Sequence, residues 1–121
     1  MITPSEILNE ARVLLDGVVI NEPRCRTIVG RAYYAAFHHA LMHPAAKGFK
    51  PLENQSQHTA LAYHLIKASD ADVRYAGKLL QALRLRRTTA DYHLSSEVRQ
   101  QEAHDAYQDA DRIINEHLLL E

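Results

Sequence analysis

The sequence predicts an all-α chain of four or five helices packed up and down, and three observations predict it. Apolar residues recur at helical spacing through five segments, no stretch alternates with period two for long enough to build a sheet, and all four prolines fall before residue 52. The strongest helix breaker is therefore missing from the second half of the chain. With 121 residues, 46% of them hydrophobic, residues 1–121 read as one domain around a single core.

Each element carries its own signal. The first helix opens on a Thr-x-x-Glu capping box, Thr3 to Glu6, with Pro4 in its first turn. Ile7, Leu8, Ala11, Leu14 and Leu15 form its apolar stripe, and "DGVVINEP" ends it, with Gly17 near the stop. A second helix begins at Pro23 behind Asn21 and runs to about Met42, where His43-Pro44 stops it. Its Ile28, Ala32, Ala35, Ala36 and Ala40 make a small-residue face that lets another helix come close. Residues 43–55, with Pro44, Gly48 and Pro51, read as a loop. A third helix covers about Ser56 to Ala68 with Leu61, Leu65 and Ile66 inward. "SDAD" supplies a turn and a cap, and a fourth helix runs from Ala71 to about Thr88 on Val73, Ala76, Leu79, Leu80 and Leu83. The β-branched Thr88 and Thr89 predict its end between Arg87 and Ala90. Ser95 or Ser96 then caps a fifth helix that buries Ala103, Ala106, Ala110, Ile113, Ile114 and Leu118.

Composition narrows the function classes. Fourteen Lys plus Arg stand against 15 Asp plus Glu, for a net charge of −1. That balance argues against broad nonspecific binding to nucleic acid, which needs a basic face. The single Cys25 forms no internal disulfide and suggests a reducing compartment. No apolar run approaches the roughly 18 residues of a membrane span. The N-terminus carries acids early and lacks the basic start of a signal peptide. The expectation is a soluble, cytoplasmic protein with no membrane partner and no cofactor.

One stretch breaks the even spread of charge. "RLRRTTADYH" places Arg84, Arg86 and Arg87 within four residues and His93 six positions after Arg87. Arginines in a last helical turn interact favourably with the helix dipole, which accounts for the cluster without any ligand. The Asp91-Tyr92-His93 that follows needs another reason. Arginine offers a permanently charged planar fork to the oxygens of a phosphodiester, and histidine exchanges protons near neutrality. Together they are the minimum for RNA cleavage without a metal. A helix end followed by a turn lets the two converge, whereas on an unbroken helix a six-residue offset sets them about 120° apart.

The second helix reads "RTIVGRAYYAAFHHALM", the third carries "QSQHTAL", and the fourth ends "ALRLRRTTADYH". In this order, over about residues 5 to 115, the chain resembles the HEPN superfamily. It is most similar to small prokaryotic HEPN proteins with an Arg-Ala-Tyr-Tyr-Ala-x-Phe-His second helix, here Arg31 to His38, and an Ala-Asp-Tyr after the fourth, here Ala90 to Tyr92. The resemblance implies a helical bundle that dimerises. It also implies a metal-independent endoribonuclease with an Arg-x4–6-His motif in a cleft between protomers, in some cases the toxin of a toxin–antitoxin pair. By that resemblance Arg87 holds the scissile phosphate, His93 transfers protons and Arg86 assists, with Thr88 where the family often has Asn. Other members lack catalysis and serve as nucleotide-binding or scaffold modules beside a minimal nucleotidyltransferase.

Other residues compete for attention. Arg31 and His38 lie seven apart, on nearly one helical face and about 10 Å apart along the axis. They either join the substrate site with Asp91 and Tyr92, or Arg31 pairs with an acid while His38 sits partly buried beside Tyr34. His39 and His43, four apart, have a metal-chelating spacing to which His58 and His64 could add ligands, but Pro44 beside His43 and the absence of HExxH leave no metal assigned. Of the six tyrosines, Tyr92 is the one placed to stack on a base.

Overall fold

The computed structural model describes residues 2–17, 21–50 and 56–120. Residues 18–20 of the predicted first break and 51–55 of the predicted loop lie outside the described residues. Among the described residues the chain is helical throughout, with no strand: α1 (Pro4–Leu15), α2 (Glu22–Met42), α3 (Gln57–Ile66), α4 (Ala71–Tyr92) and α5 (Gln100–Arg112). A 3₁₀ turn, Pro44–Ala46, follows α2, and a wide π turn, Ile113–His117, extends α5. No helix among the described residues is long and apolar enough to cross a membrane.

The helix starts follow the predicted chemistry. Thr3 Oγ1 accepts from the Glu6 N–H at 3.2 Å, and Glu6 returns a carboxylate to the Thr3 N–H at 3.1 Å. Asn21, Ser56 and Asp70 cap α2, α3 and α4 in the same way, each accepting from the N–H three residues on. The cap of α5 differs from the prediction. Neither Ser95 nor Ser96 supplies it. The N-cap is Arg99, whose N–H donates to the Glu102 carboxylate at 3.3 Å.

Alanines set the spacing at the centre. Ala32, Ala35, Ala36 and Ala40 of α2 and Ala103, Ala106 and Ala110 of α5 are all fully buried. Short side chains on both partners let the two helices approach closely, and α2 packs against α1, α4 and α5. Larger residues close the ends of that core: Leu8 of α1, Leu80 and Leu83 of α4, and Ile113, Ile114 and Leu118 after α5. The stripes of α1, α3 and α4 are narrower than predicted, since Ile7, Leu14, Leu15, Ile66, Val73 and Leu79 are only half-buried.

The contact between α3 and α4 turns on Gly77. A Cβ at that position would lie 2.7 Å from the Ile66 backbone nitrogen and 2.9 Å from Leu65 Cβ. In an open helix, replacing glycine by alanine stabilises by about 1 kcal/mol. Here the new methyl meets backbone that has little room to move, so the sign reverses. Gly77→Ala is expected to destabilise the fold by about 1–3 kcal/mol, read as a lower urea midpoint with unchanged m-value; a gain in stability would show that α3 does not lie this close.

Candidate functional site

The end of α4 lies where the sequence did not put it. The helix continues without a break through Thr88 and Thr89 to Tyr92, and His93 is its C-cap. The cause is Arg26, in the second turn of α2. Its Nη1 donates to the carbonyls of Thr89, Ala90 and His93 at 3.2, 2.8 and 3.3 Å. Its Nη2 donates to Leu94 O at 3.4 Å and to Ser96 O. Glu22, four residues back, holds the guanidinium at 3.3 Å and accepts from the Val98 N–H at 3.3 Å. Carbonyls that would be orphaned at a helix C-terminus thus find a cation.

Because α4 stays helical, Arg87 and Asp91 meet as an i,i+4 pair. Arg87 Nε lies 2.8 Å from Asp91 Oδ2, and Nη2 donates to the Tyr34 hydroxyl at 2.8 Å. The Nε is sealed from solvent, so its close neighbour is the Asp91 carboxylate of this ion pair. Three rings surround the guanidinium, with Cζ 5.3 Å from the Tyr34 centroid, 5.4 Å from Tyr92 and 6.0 Å from Tyr33. Burial works against the charge of Arg87, but Tyr34, Tyr92 and Asp91 outweigh it and hold its pKa above the ordinary arginine value. Asp91 is the carboxylate that pairs with this guanidinium. Nη1 has no hydrogen-bond partner among the described residues.

A shallow hollow of about 270 Å³ opens beside this pair, lined by Arg26, Thr27, Gly30, Arg31, Tyr34 and Asp91. It is the size for a phosphate or one ring rather than a larger ligand. Arg31 is exposed and, among the described residues, makes no ion pair. His38 is exposed rather than partly buried, with its ring 6.2 Å from Tyr34 and nearly parallel to it.

The predicted partner of Arg87 is elsewhere. His93 is exposed, and its ring forms no hydrogen bond, ion pair or aromatic contact with a described residue. Only its backbone is engaged, with the N–H on Thr89 O and the carbonyl on Arg26. A helix unbroken to Tyr92 keeps the two side chains about 120° apart around the axis. Arg86 also points to different work: its charge acts on Asp109 of α5, whose pKa burial nonetheless raises. Tyr92 is exposed, as a stacking residue needs to be.

The imidazole near Arg87 is His58, in the first turn of α3. Its Nδ1 lies 2.7 Å from the hydroxyl of Tyr33, and its ring rests 4.4 Å from that of Phe37. Burial, followed by Arg87, His38 and Arg84, lowers its pKa, so it is neutral at pH 7. Burial also raises the pKa of Tyr33. The sequence offered one signal for this pair, the "QSQH" at the start of the third helix, but assigned His58 only to a metal set. The other histidines of that set bond to backbone: His39 to Leu118 O at 2.5 Å, His43 to Leu119 O at 3.1 Å and His64 to Ala45 O at 3.1 Å. Among the described residues no three His, Cys, Asp or Glu gather as a metal site.

Compared with known proteins, the chain matches no family model, no curated protein and no solved structure.

Two outcomes test this geometry. Arg26→Ala strips a half-dozen acceptors of a buried cation and is expected to cost about 3 kcal/mol or more in urea unfolding, with faster amide exchange confined first to residues 88–99. His58 supplies the second. Its folded pKa is depressed, so the unfolded chain binds that proton more readily, and its contribution is complete above about pH 6.5 and lost as pH falls. His58→Phe should lower Tm at pH 7.5 yet flatten the decline between pH 7.5 and 5; an unchanged slope would place His58 in solvent.

Proposed function

We propose that this chain is a HEPN-type module that binds the phosphate of a nucleotide at Arg87, working as a homodimer beside a partner such as a minimal nucleotidyltransferase. The observation that carries the reading is the state of Arg87. Its guanidinium is fixed by Tyr34 and Asp91, ringed by tyrosines and left with an Nη1 that no described residue takes. A preset cationic fork of this kind receives a phosphate with little ordering cost. Arg31 at the rim of the adjoining hollow adds charge, and exposed Tyr92 offers a face for the base. Leu85, Tyr92 and Leu94, exposed around the end of α4, supply apolar area for pairing two subunits.

The second reading is the metal-independent endoribonuclease, possible toxin of a two-gene pair, with Arg87 and His93 as the reacting pair. What favours it is the uncommitted ring of His93, which a second protomer can approach. The ribose 2′-hydroxyl would attack the phosphorus, its proton passing to the imidazole, and the 5′-oxygen would leave with a proton, giving a 2′,3′-cyclic phosphate. Within one subunit the placement of His93, about 120° around the α4 axis from Arg87, weighs against it.

Calorimetric titration with adenosine 5′-monophosphate, and incubation with single-stranded RNA in EDTA, separate the two. The expected result is nucleotide binding that Arg87→Ala reduces by roughly tenfold or more, with RNA left intact. Cyclic-phosphate products that disappear in His93→Ala would establish the nuclease instead. Neither binding nor cleavage overturns both readings.

A further inference from the structure

Gly30 lies in the interior of α2, half-buried, where glycine weakens a helix relative to alanine. Gly77 has a reason in packing, since a Cβ there would strike α3. Gly30 has no such reason. Outside its own helix, a Cβ on Gly30 would meet no described atom nearer than Asp91 Oδ1, at 3.8 Å, which is ordinary contact. What the missing methyl leaves is space, and that space belongs to the hollow of about 270 Å³ between α2 and the end of α4.

The groups around that space differ in what they can bond. Asp91 reaches Arg87 through Oδ2, and Oδ1 is the atom that borders the floor at Gly30. A carboxylate oxygen only accepts, so a group bonded to it there must donate. The Tyr34 hydroxyl accepts from Arg87 Nη2, which directs its own proton elsewhere, and no described residue takes that proton. Thr27 Oγ1 gives its proton to Pro23 O at 3.0 Å and keeps its lone pairs. Arg31 brings N–H donors to the rim. Donors and acceptors thus share one small space, which suits hydroxyl groups because each can do both.

We propose that this hollow takes the ribose of the nucleotide, with Asp91 Oδ1 accepting from a sugar hydroxyl and Gly30 leaving room for the sugar ring. The inference rests on the phosphate-binding reading above and adds to it a preference for ribose over deoxy sugars. The two places adjoin, because Arg87 bonds both Tyr34 and Asp91, two walls of the hollow. A phosphate on the Arg87 guanidinium therefore sets the attached sugar, one methylene away, at the hollow and leaves the base to Tyr92. A base amino group can also donate to a carboxylate. A flat base gains most from stacking, however, and the exposed ring of Tyr92 does not line the hollow.

Calorimetric titrations of the full chain test this. The probes are adenosine 5′-monophosphate, its 2′,3′-dideoxy analogue, and inosine 5′-monophosphate, which lacks the amino group. The expected result is roughly tenfold weaker binding of the dideoxy compound and equal binding of the inosine compound. Gly30→Ala should raise the urea midpoint, since the helix gains and nothing clashes, yet it should weaken binding of adenosine 5′-monophosphate. In that variant the ribose and dideoxy compounds should bind alike, a loss of discrimination that a uniform weakening would not produce. Equal binding of the two by the original chain overturns the inference and, where Arg87→Ala weakens both, leaves the phosphate-binding reading standing. A loss seen with the inosine compound instead puts the base in the hollow and likewise overturns the inference. If the original chain binds none of the three, both fall together.

Discussion

One guanidinium near the start of α2 holds the far end of α4 and the crossing that leads to α5. The Arg26 side chain is only 13% exposed, and it meets five carbonyls and one carboxylate. A helix that ends inside a protein leaves carbonyls with no donor and a negative pole with no counter-charge. Arg26 answers both at once. Glu22 aligns it and, through the Val98 N–H, ties the approach to α5 into the same knot. Residues 93–99 therefore follow a fixed path without regular structure of their own.

The geometry at Arg87 is downstream of that clamp. Helical geometry maintained to Tyr92 brings Asp91 back onto Arg87 one turn later and sets Tyr92 beside the guanidinium. The same continuity carries His93 away around the axis. Had the helix stopped at Thr88, the following turn would have been free to fold the histidine toward the arginine. The chemistry open to the end of α4 is thus decided by a residue on another helix, 61 positions earlier than Arg87 as the sequence is numbered.

What was legible in the sequence was what periodicity and capping encode. The Ala faces of α2 and α5 and the Thr3, Asn21 and Asp70 caps are local patterns, and each appears where the pattern put it. Arg26 was not legible, because an arginine one turn after a proline looks like any solvated charge until its five acceptors are brought to it from residues 89–96. The end of α4 was misplaced for the same reason: the weak helix propensity of Thr88 and Thr89 is real, but it is worth tenths of a kcal/mol per residue and a buried charge–carbonyl cluster exceeds it. The site was half legible. Arg87, Asp91 and Tyr92 do cluster, while His58 was weighed only as a metal ligand because its partner Tyr33 is 25 residues away and on a different helix.

The alanine core also explains where the site had to be. Along α2 the buried alanines Ala32, Ala35, Ala36 and Ala40 alternate with the rings of Tyr33, Tyr34 and Phe37. Three rings need room, and α3 and the last turns of α4 supply the walls that give it: His58 lies against Tyr33 and Phe37, and Arg87 against Tyr34. Tyr33 belongs to both systems, fully buried as a core residue and hydrogen-bonded as the support of His58. A side chain resting on a core ring inherits the rigidity of the core, so the His58 imidazole is held in one place. The same sharing means that a change in packing around Tyr33 reaches His58 directly.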